Sequence, residues 1–226
     1  QDPPLEVRYI PKENRYQLTQ KAEPALTCGE MIAVCKILLE SRALKRQEMD
    51  AILDKLLSDF TSTESKQAVS QAITNERFYY IEPHHGKALT DRLWTLAQAI
   101  QTKSVIQVQY QTQTGQKKQR ILQSVGLMFS EFYFYLTAFI EDIDRSEHFE
   151  NPEDLSPTIY RVDRLEDITV LDKHFAIPYS KRFSEGEFRK RVQFMYGGKL
   201  QTVHFTYCGP SVEAVLDRLP TAEIVS

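Results

Sequence analysis

Cations and amides concentrate in one short stretch of the chain, residues 101–120. This stretch contains Lys103, Lys117, Lys118 and Arg120 together with seven glutamines, and it contains no acidic residue. Amide groups can hydrogen-bond base edges and cations can bind phosphate, so this composition suits a polar anionic ligand. A solvated strand face can have the same composition, and the stretch alone does not separate these two interpretations.

A second group of charges lies in residues 160–164, Tyr-Arg-Val-Asp-Arg. Two arginines this close to the end of a predicted strand can form a fork that clamps phosphate. In the alternative interpretation, Asp163 pairs with an arginine across the sheet. Side chains alternate along a regular strand, so Arg161 and Arg164 would point to opposite faces. A shared site therefore requires a bend or a bulge after Asp163.

Aromatic residues form a row at positions 132–136, Phe-Tyr-Phe-Tyr-Leu. Alternation predicts that Phe132, Phe134 and Leu136 face the core. Tyr133 and Tyr135 then share the other face, where their rings could stack on bases. Packing is the more common role of aromatic residues in strands, so both roles stay open for these tyrosines.

Helices precede these strands and must position them. Apolar residues recur at spacings of three and four in four stretches, and Thr27 with Glu30 forms a capping box at the start of the first stretch. Two short alternating segments, 5–10 and 15–18, come before the helices and predict a hairpin. After Ile100 the apolar period changes from 3.6 to two. About five short strands then predict a small, strongly bent sheet or barrel. The segments 202–205 and 222–225 predict further strands, and Gly197-Gly198 predicts a turn before the first of them.

The composition and net charge of the chain limit the classes of protein to which it can belong. The chain has 226 residues and a formal net charge of −3, so any contact with nucleic acid must come from local patches. Three cysteines and no CxxC pair give no disulfide framework. No apolar run approaches the length of a membrane span, and no signal peptide opens the sequence. We therefore expect a cytoplasmic protein.

Enzymatic motifs are missing from the sequence. It contains no G-x-S-x-G, no P-loop and no dinucleotide-binding fingerprint. The side chains of the adjacent His84 and His85 diverge, and no third ligand lies at metal spacing. Asp163 between two arginines would be ionised and paired, which makes it a poor general base. We expect no catalytic residue, no metal site and no cofactor.

Several separated motifs resemble the WYL-domain family of bacterial transcriptional regulators over about residues 80–180. The pieces stand in the family's order: a strand with Tyr110, then Arg120, then Phe134-Tyr135-Leu136 with Phe in place of Trp, then Tyr160-Arg161-Val162-Asp163-Arg164-Leu165, then Phe175-Ala176-Ile177-Pro178. The fourth piece is similar to the family's Phe-Arg-x-Asp-Arg-Ile stretch. Residues 209–216 also resemble the family's C-terminal extension.

The resemblance implies an α+β chain in which a small Sm/SH3-like β-barrel senses a ligand. It assigns 1–20 to the remnant of a winged-helix wing, 21–102 to a helical linker region, 103–180 to the WYL-like barrel and 187–226 to a partial α/β C-terminal extension. The chain would then be truncated at both ends. Its operator-binding winged helix-turn-helix head would be absent or incomplete.

The ligand implied by the resemblance is single-stranded nucleic acid or a nucleotide. The candidate ligand-binding residues carried over from the family are Tyr110, Arg120, Tyr135, Arg161 and Arg164. We expect a homodimer, because operators are commonly two-fold symmetric. The alternative function is an RNA- or protein-binding module that controls no promoter.

Overall fold

The computed structural model describes residues 5–20, 26–60, 62–112, 114–141, 157–177, 184–192, 195, 201–209 and 212–225. Contacts within the chain divide it into two compact units, residues 1–86 and 87–226. Each unit is described by itself below. No helix in the described ranges is both long enough and apolar enough to cross a membrane.

The first unit consists of a hairpin and three helices: β1 (Leu5–Ile10), β2 (Arg15–Gln20), α1 (Cys28–Ser41), α2 (Arg46–Ser58) and α3 (Thr63–Phe78). The strands pair antiparallel, and Asn14 takes a left-handed conformation (φ 45°) in the turn between them. The rings of Tyr9 and Tyr16 lie 5.1 Å apart across the two strands. The hairpin predicted from alternation is therefore present.

Apolar stripes bring the three helices of the first unit together. Residues three or four apart lie on one helix face, and these positions are buried; they are Met31, Cys35 and Leu39 on α1, Met49, Leu53 and Leu57 on α2, and Val69 and Ile73 on α3. The capping box predicted at Thr27 and Glu30 is present. Arg77 of α3 donates to Asp50 and Asp54 of α2, each at 2.7 Å, so an ion pair also joins these two helices.

The second unit holds a helix, a five-stranded antiparallel sheet and two short helices. Its elements are α4 (Thr90–Thr102), β3 (Ser104–Gln111), β4 (Lys117–Ser130), β5 (Tyr133–Ile140), β6 (Thr158–Arg161), β7 (Leu165–His174), α5 (Glu185–Arg191) and α6 (Glu213–Arg218). The strand order in the sheet is β6-β5-β4-β3-β7. A 3-10 turn at Val162–Arg164 connects the two edge strands.

The sheet is strongly curled. Tyr110 on β3 and Tyr160 on β6 are three strand positions apart, which would separate them by about 14 Å in a flat sheet. Their ring centroids nevertheless lie 4.9 Å apart. The sheet therefore bends toward the face that carries these two rings, which we call the concave face. The opposite side is the outer face.

The concave face holds the core of this unit. Residues directly opposite each other in antiparallel strands share a face, and the register places Val108, Leu122, Leu136, Tyr160 and Leu165 on the concave side. All five are at most 4% exposed. Burying such side chains stabilises the fold by about 1.5–3 kcal/mol each. Arg92 of α4 donates to the Leu165 carbonyl at 2.6 Å and so fixes the start of β7.

Three expectations from the sequence need correction. The chain is α+β as predicted, but the sheet is open and not a closed Sm/SH3-like barrel, since β6 and β7 form no ladder in the described part of the chain. Phe132 does not face the core. It is 42% exposed because the strand begins one residue later, after a turn in which Glu131 has φ 54°.

The third correction concerns the C-terminal extension, which was expected to be a partial α/β unit. The described residues between 184 and 225 contain two short helices and no strand. The alternating segments 202–205 and 222–225 are thus not strands here. The predicted turn at 197–198 lies outside the described residues.

Candidate anion site on the curled sheet

Tyr110, Arg120 and Tyr160 form one group on the concave face, which we call the rim cluster. Arg120 is opposite Val108 in the β3–β4 pairing, so its side chain leaves the sheet on the same side as Tyr110. Tyr160 is opposite Leu136 and reaches the same side from β6. The two tyrosine rings meet edge to face, with an interplanar angle of 83°. Both Tyr110 and Arg120 are partly buried, so the group lies where the core meets solvent.

The phenol of Tyr160 lies close enough to Arg120 for the two groups to affect each other. Burial raises the pKa of Tyr160 well above its ordinary value, whereas the Arg120 charge and hydrogen bonding from the Thr158 and Arg120 side chains act in the opposite direction. The phenol is therefore neutral at physiological pH. Its oxygen can accept a hydrogen bond from the guanidinium, which has only donors.

Arg120 lacks an acidic partner within the described residues. Its guanidinium donates to the Gln119 carbonyl at 3.1 Å, and no carboxylate lies within ion-pair distance. The nearby Lys117 differs, because it pairs with Glu166 at 2.8 Å while Lys87 reaches the same carboxylate at 3.0 Å. These two lysines lower the pKa of Glu166 to about 2. Within the described residues, Lys117 thus has a negatively charged partner and Arg120 has none.

Arg161 and Tyr135 lie on the outer face, together with Tyr133 and Asp163, and we call these four residues the outer cluster. Arg161 and Tyr135 are directly opposite in the β5–β6 pairing. The Arg161 guanidinium lies 3.5 Å from the centroid of the Tyr133 ring, which is a close cation–π contact. The Tyr133 and Tyr135 rings are 6.4 Å apart and nearly perpendicular. Sequence alternation predicted that these two tyrosines share a face, and the ring contact agrees.

Asp163 neutralises Arg161 through a bidentate pair. The Nε and Nη2 groups of Arg161 donate to the two carboxylate oxygens at 3.0 Å and 2.8 Å. Asp163 is only 5% exposed, and the Arg161 side chain is 21% exposed. Although burial acts to lower the pKa of Arg161, the Asp163 carboxylate outweighs this effect and the pKa rises. Asp163 thus pairs with the arginine two residues before it.

The 3-10 turn changes the direction of the chain between Arg161 and Arg164. Strand β6 ends at Arg161, and Val162 and Asp163 are buried within the turn. Arg164 is partly buried, and its side chain makes no ion pair or hydrogen bond within the described part of the chain. It directly precedes Leu165, which is opposite Tyr110. The backbone of Arg164 therefore lies at the end of β3 where the rim cluster is found.

The structure thus divides four of the five residues singled out from the sequence between the two faces of the sheet. Tyr110 and Arg120 lie together on the concave face, and Tyr135 and Arg161 lie together on the outer face. Sequence reasoning did not name Tyr160 as part of the site. Its one available signal was that a tyrosine stands where the resembling motif has phenylalanine, since a hydroxyl at a core position needs a polar partner.

Comparison with known proteins bears on the second unit. A search of curated proteins finds no match. Among solved structures, the chain is similar to proteasome accessory factor B/C (PafBC) of Arthrobacter aurescens, with 12% sequence identity and a TM-score of 0.31. The match covers 74% of this chain and 24% of that chain, so this chain spans about a quarter of its length. The family model of the WYL domain matches residues 91–170, which run from α4 into β7. The resemblance to the WYL domain is therefore confirmed for residues 91–170.

Proposed function

We propose that the second unit is the ligand-sensing part of a WYL-type transcriptional regulator, and that it binds an anionic ligand at the rim cluster. The WYL match over 91–170 supports the regulatory class. The state of Arg120 supports the anion, because this partly buried guanidinium has no carboxylate partner in the described part of the chain. In this proposal the protein is cytoplasmic, acts without catalysis and forms a homodimer on operator DNA through an N-terminal head.

The chemistry of the rim cluster favours a ligand with both a negative charge and a flat ring. A partly buried cation loses hydration, and an anion that pairs with it restores the lost interaction. The aromatic group of Tyr110 offers a surface against which a base can pack. A nucleotide or a short single strand of nucleic acid provides both groups. Arg164 would add a second positive charge from the same end of β3.

The outer cluster would contact only a ligand long enough to pass around the sheet. Asp163 occupies Nε and Nη2 of Arg161, so the Nη1 group keeps its donors for a phosphate. Tyr135 lies beside it on the same face. We therefore expect Arg161 and Tyr135 to contribute to the binding of oligonucleotides. They would contribute little to the binding of a mononucleotide held at Arg120.

Binding at Arg120 can be tested by fluorescence anisotropy with short labelled single-stranded oligonucleotides at low and high salt. We expect salt-sensitive binding, because phosphate contacts release counterions. The Arg120→Ala protein should bind roughly ten- to a hundredfold more weakly, since a hydrogen bond to a charged group contributes about 1.5–3 kcal/mol. Lys103→Gln is the matched control, since it removes the same charge from an exposed position directly before β3, at the other end of that strand from Tyr110. Equal losses in the two variants would show that only the general positive potential matters.

The regulatory role needs a separate measurement on a chain that includes a DNA-binding head. A ligand shifts a conformational equilibrium only by its different affinities for the two states. We expect the oligonucleotide that binds wild type to change operator affinity, and to have no such effect on the Arg120→Ala protein. A chain that binds oligonucleotides but no operator would instead be an interaction module without promoter control.

A further inference from the structure

We infer that Tyr160 is a positioning residue, whose phenol holds the Arg120 guanidinium in place for the anion. The inference rests on the proposed function only in assigning the anion to Arg120. It adds a residue that makes no ligand contact of its own, because Tyr160 is 4% exposed. It also gives a polar role to a side chain that otherwise belongs to the core.

The backbone brings Tyr160 to Arg120 through sheet curvature. The two residues belong to strands that are two positions apart in the sheet, with β5 between them. Both side chains leave the sheet on the concave face, where Tyr160 also meets the Tyr110 ring at 4.9 Å. Because Tyr110 lies two residues beyond Val108, the partner of Arg120, the ring contact places Tyr160 at the end of the concave face where Arg120 lies.

The phenol oxygen can accept a hydrogen bond, and Arg120 has no acidic acceptor within the described residues. A buried hydroxyl without a partner costs roughly 1–3 kcal/mol, so a phenol in this core requires a polar neighbour. Thr158 and Arg120 are the polar side chains that lie close enough to this phenol to affect its pKa. A neutral oxygen can orient a guanidinium without cancelling its charge, whereas the carboxylate of Asp163 does cancel the charge of Arg161. Arg120 is thereby held in a fixed direction and remains available to an anion.

A packing role for the whole side chain is the competing explanation. The ring of Tyr160 is in contact with Tyr110 and lies among the apolar residues of the concave face, so a phenylalanine would fill the same space. The hydroxyl is the part that distinguishes the two explanations. Tyr160→Phe removes the hydroxyl and keeps the ring, and is therefore the informative substitution.

The first readout follows the Arg120 side chain without any ligand. In the full 226-residue chain labelled with ¹⁵N, the Nε–H resonance of Arg120, assigned by its loss in Arg120→Ala, should exchange slowly with water in wild type. In Tyr160→Phe this resonance should exchange several-fold faster. Tyr110→Phe is the control, because the Tyr110 hydroxyl makes no hydrogen bond within the described residues. An unchanged exchange rate in Tyr160→Phe would overturn the inference.

The second readout is affinity for a labelled single-stranded oligonucleotide. We expect Tyr160→Phe to weaken binding about five- to tenfold, and to have no further effect when Arg120 is already alanine, because coupled residues give non-additive losses. Additive losses would overturn the inference and leave Arg120 as the anion contact. If Arg120→Ala binds as tightly as wild type, the proposed function fails. The exchange measurement would still decide whether Tyr160 positions Arg120.

Discussion

Among the ion pairs of the described residues, the pair formed by Asp163 and Arg161 is the one whose removal should most weaken the second unit. Asp163→Asn keeps the shape of the side chain and removes its charge. The amide then presents an NH2 donor to a guanidinium donor, so one of the two hydrogen bonds, at 3.0 Å and 2.8 Å, is lost and the other becomes a bond to a neutral oxygen. The Arg161 charge is left without its counter-charge near a buried turn.

The magnitude follows from the burial of the two partners. A hydrogen bond between charged groups contributes about 1.5–3 kcal/mol, and removing one partner of a fully buried pair costs about 3–5 kcal/mol. Asp163 is 5% exposed, but Arg161 is 21% exposed and can recover some hydration. We therefore expect Asp163→Asn to lower the free energy of unfolding by about 2 kcal/mol. For a domain of this size that loss corresponds to a fall in Tm of roughly 4–8 °C.

A urea titration followed by tryptophan fluorescence measures the free energy of unfolding of the second unit. Trp94 is the single tryptophan of the chain and lies on α4 of the second unit. Asp167→Asn is the matched control, because it removes the same charge from an exposed position that forms no ion pair within the described residues. If both variants unfold at the same urea concentration, Asp163 does not stabilise the turn and the reasoning is refuted.

Two further predictions concern pH and helix capping. Lys117 and Lys87 hold the pKa of Glu166 at about 2, so Glu166→Gln should lower Tm above about pH 5. This difference should shrink as the pH falls from about 4.5 toward 2, because a carboxyl with a depressed pKa stabilises only while it is ionised; a pH-independent difference in thermal melts would contradict the ion-pair explanation. Thr27→Ala should cost about 1 kcal/mol in the first unit, measured by far-UV circular dichroism in urea, and a loss no larger than that of Ser58→Ala would show that the cap contributes nothing.

Local signals in the sequence were sufficient for most of the elements. The capping box at Thr27 and the apolar stripe of α2 fix helices through contacts three and four residues apart, so a short window contains the necessary information. Alternation likewise identified β3, β4 and β5. The start of β5 was wrong by one residue because a turn at Glu131, with positive φ, delays the strand. Strand alternation alone also overpredicted strands in 202–205 and 222–225, where a ladder partner is needed.

The candidate site was less predictable, because it depends on curvature and register. Nothing in a local window shows that Tyr110 and Tyr160, fifty residues apart, have rings 4.9 Å from each other. From the sequence, a site shared by Arg161 and Arg164 would require a bend near Asp163. The structure supplies a 3-10 turn there. The structure also shows that Asp163 pairs with Arg161. The sequence had left the partner of Asp163 open.

The alternation of side chains along the strands and the ion pairs together indicate different roles for the three arginines. Arg161 is stacked on Tyr133 and bound to Asp163, so its charge is already used to stabilise the turn that joins the two edge strands. Arg120 and Arg164 have no carboxylate in the described residues and lie toward the same end of β3. An anion there would pair with two cations without displacing a carboxylate of the described residues. An anion at Arg161 would have to share its guanidinium with Asp163, so the rim cluster is the favoured place for a first contact.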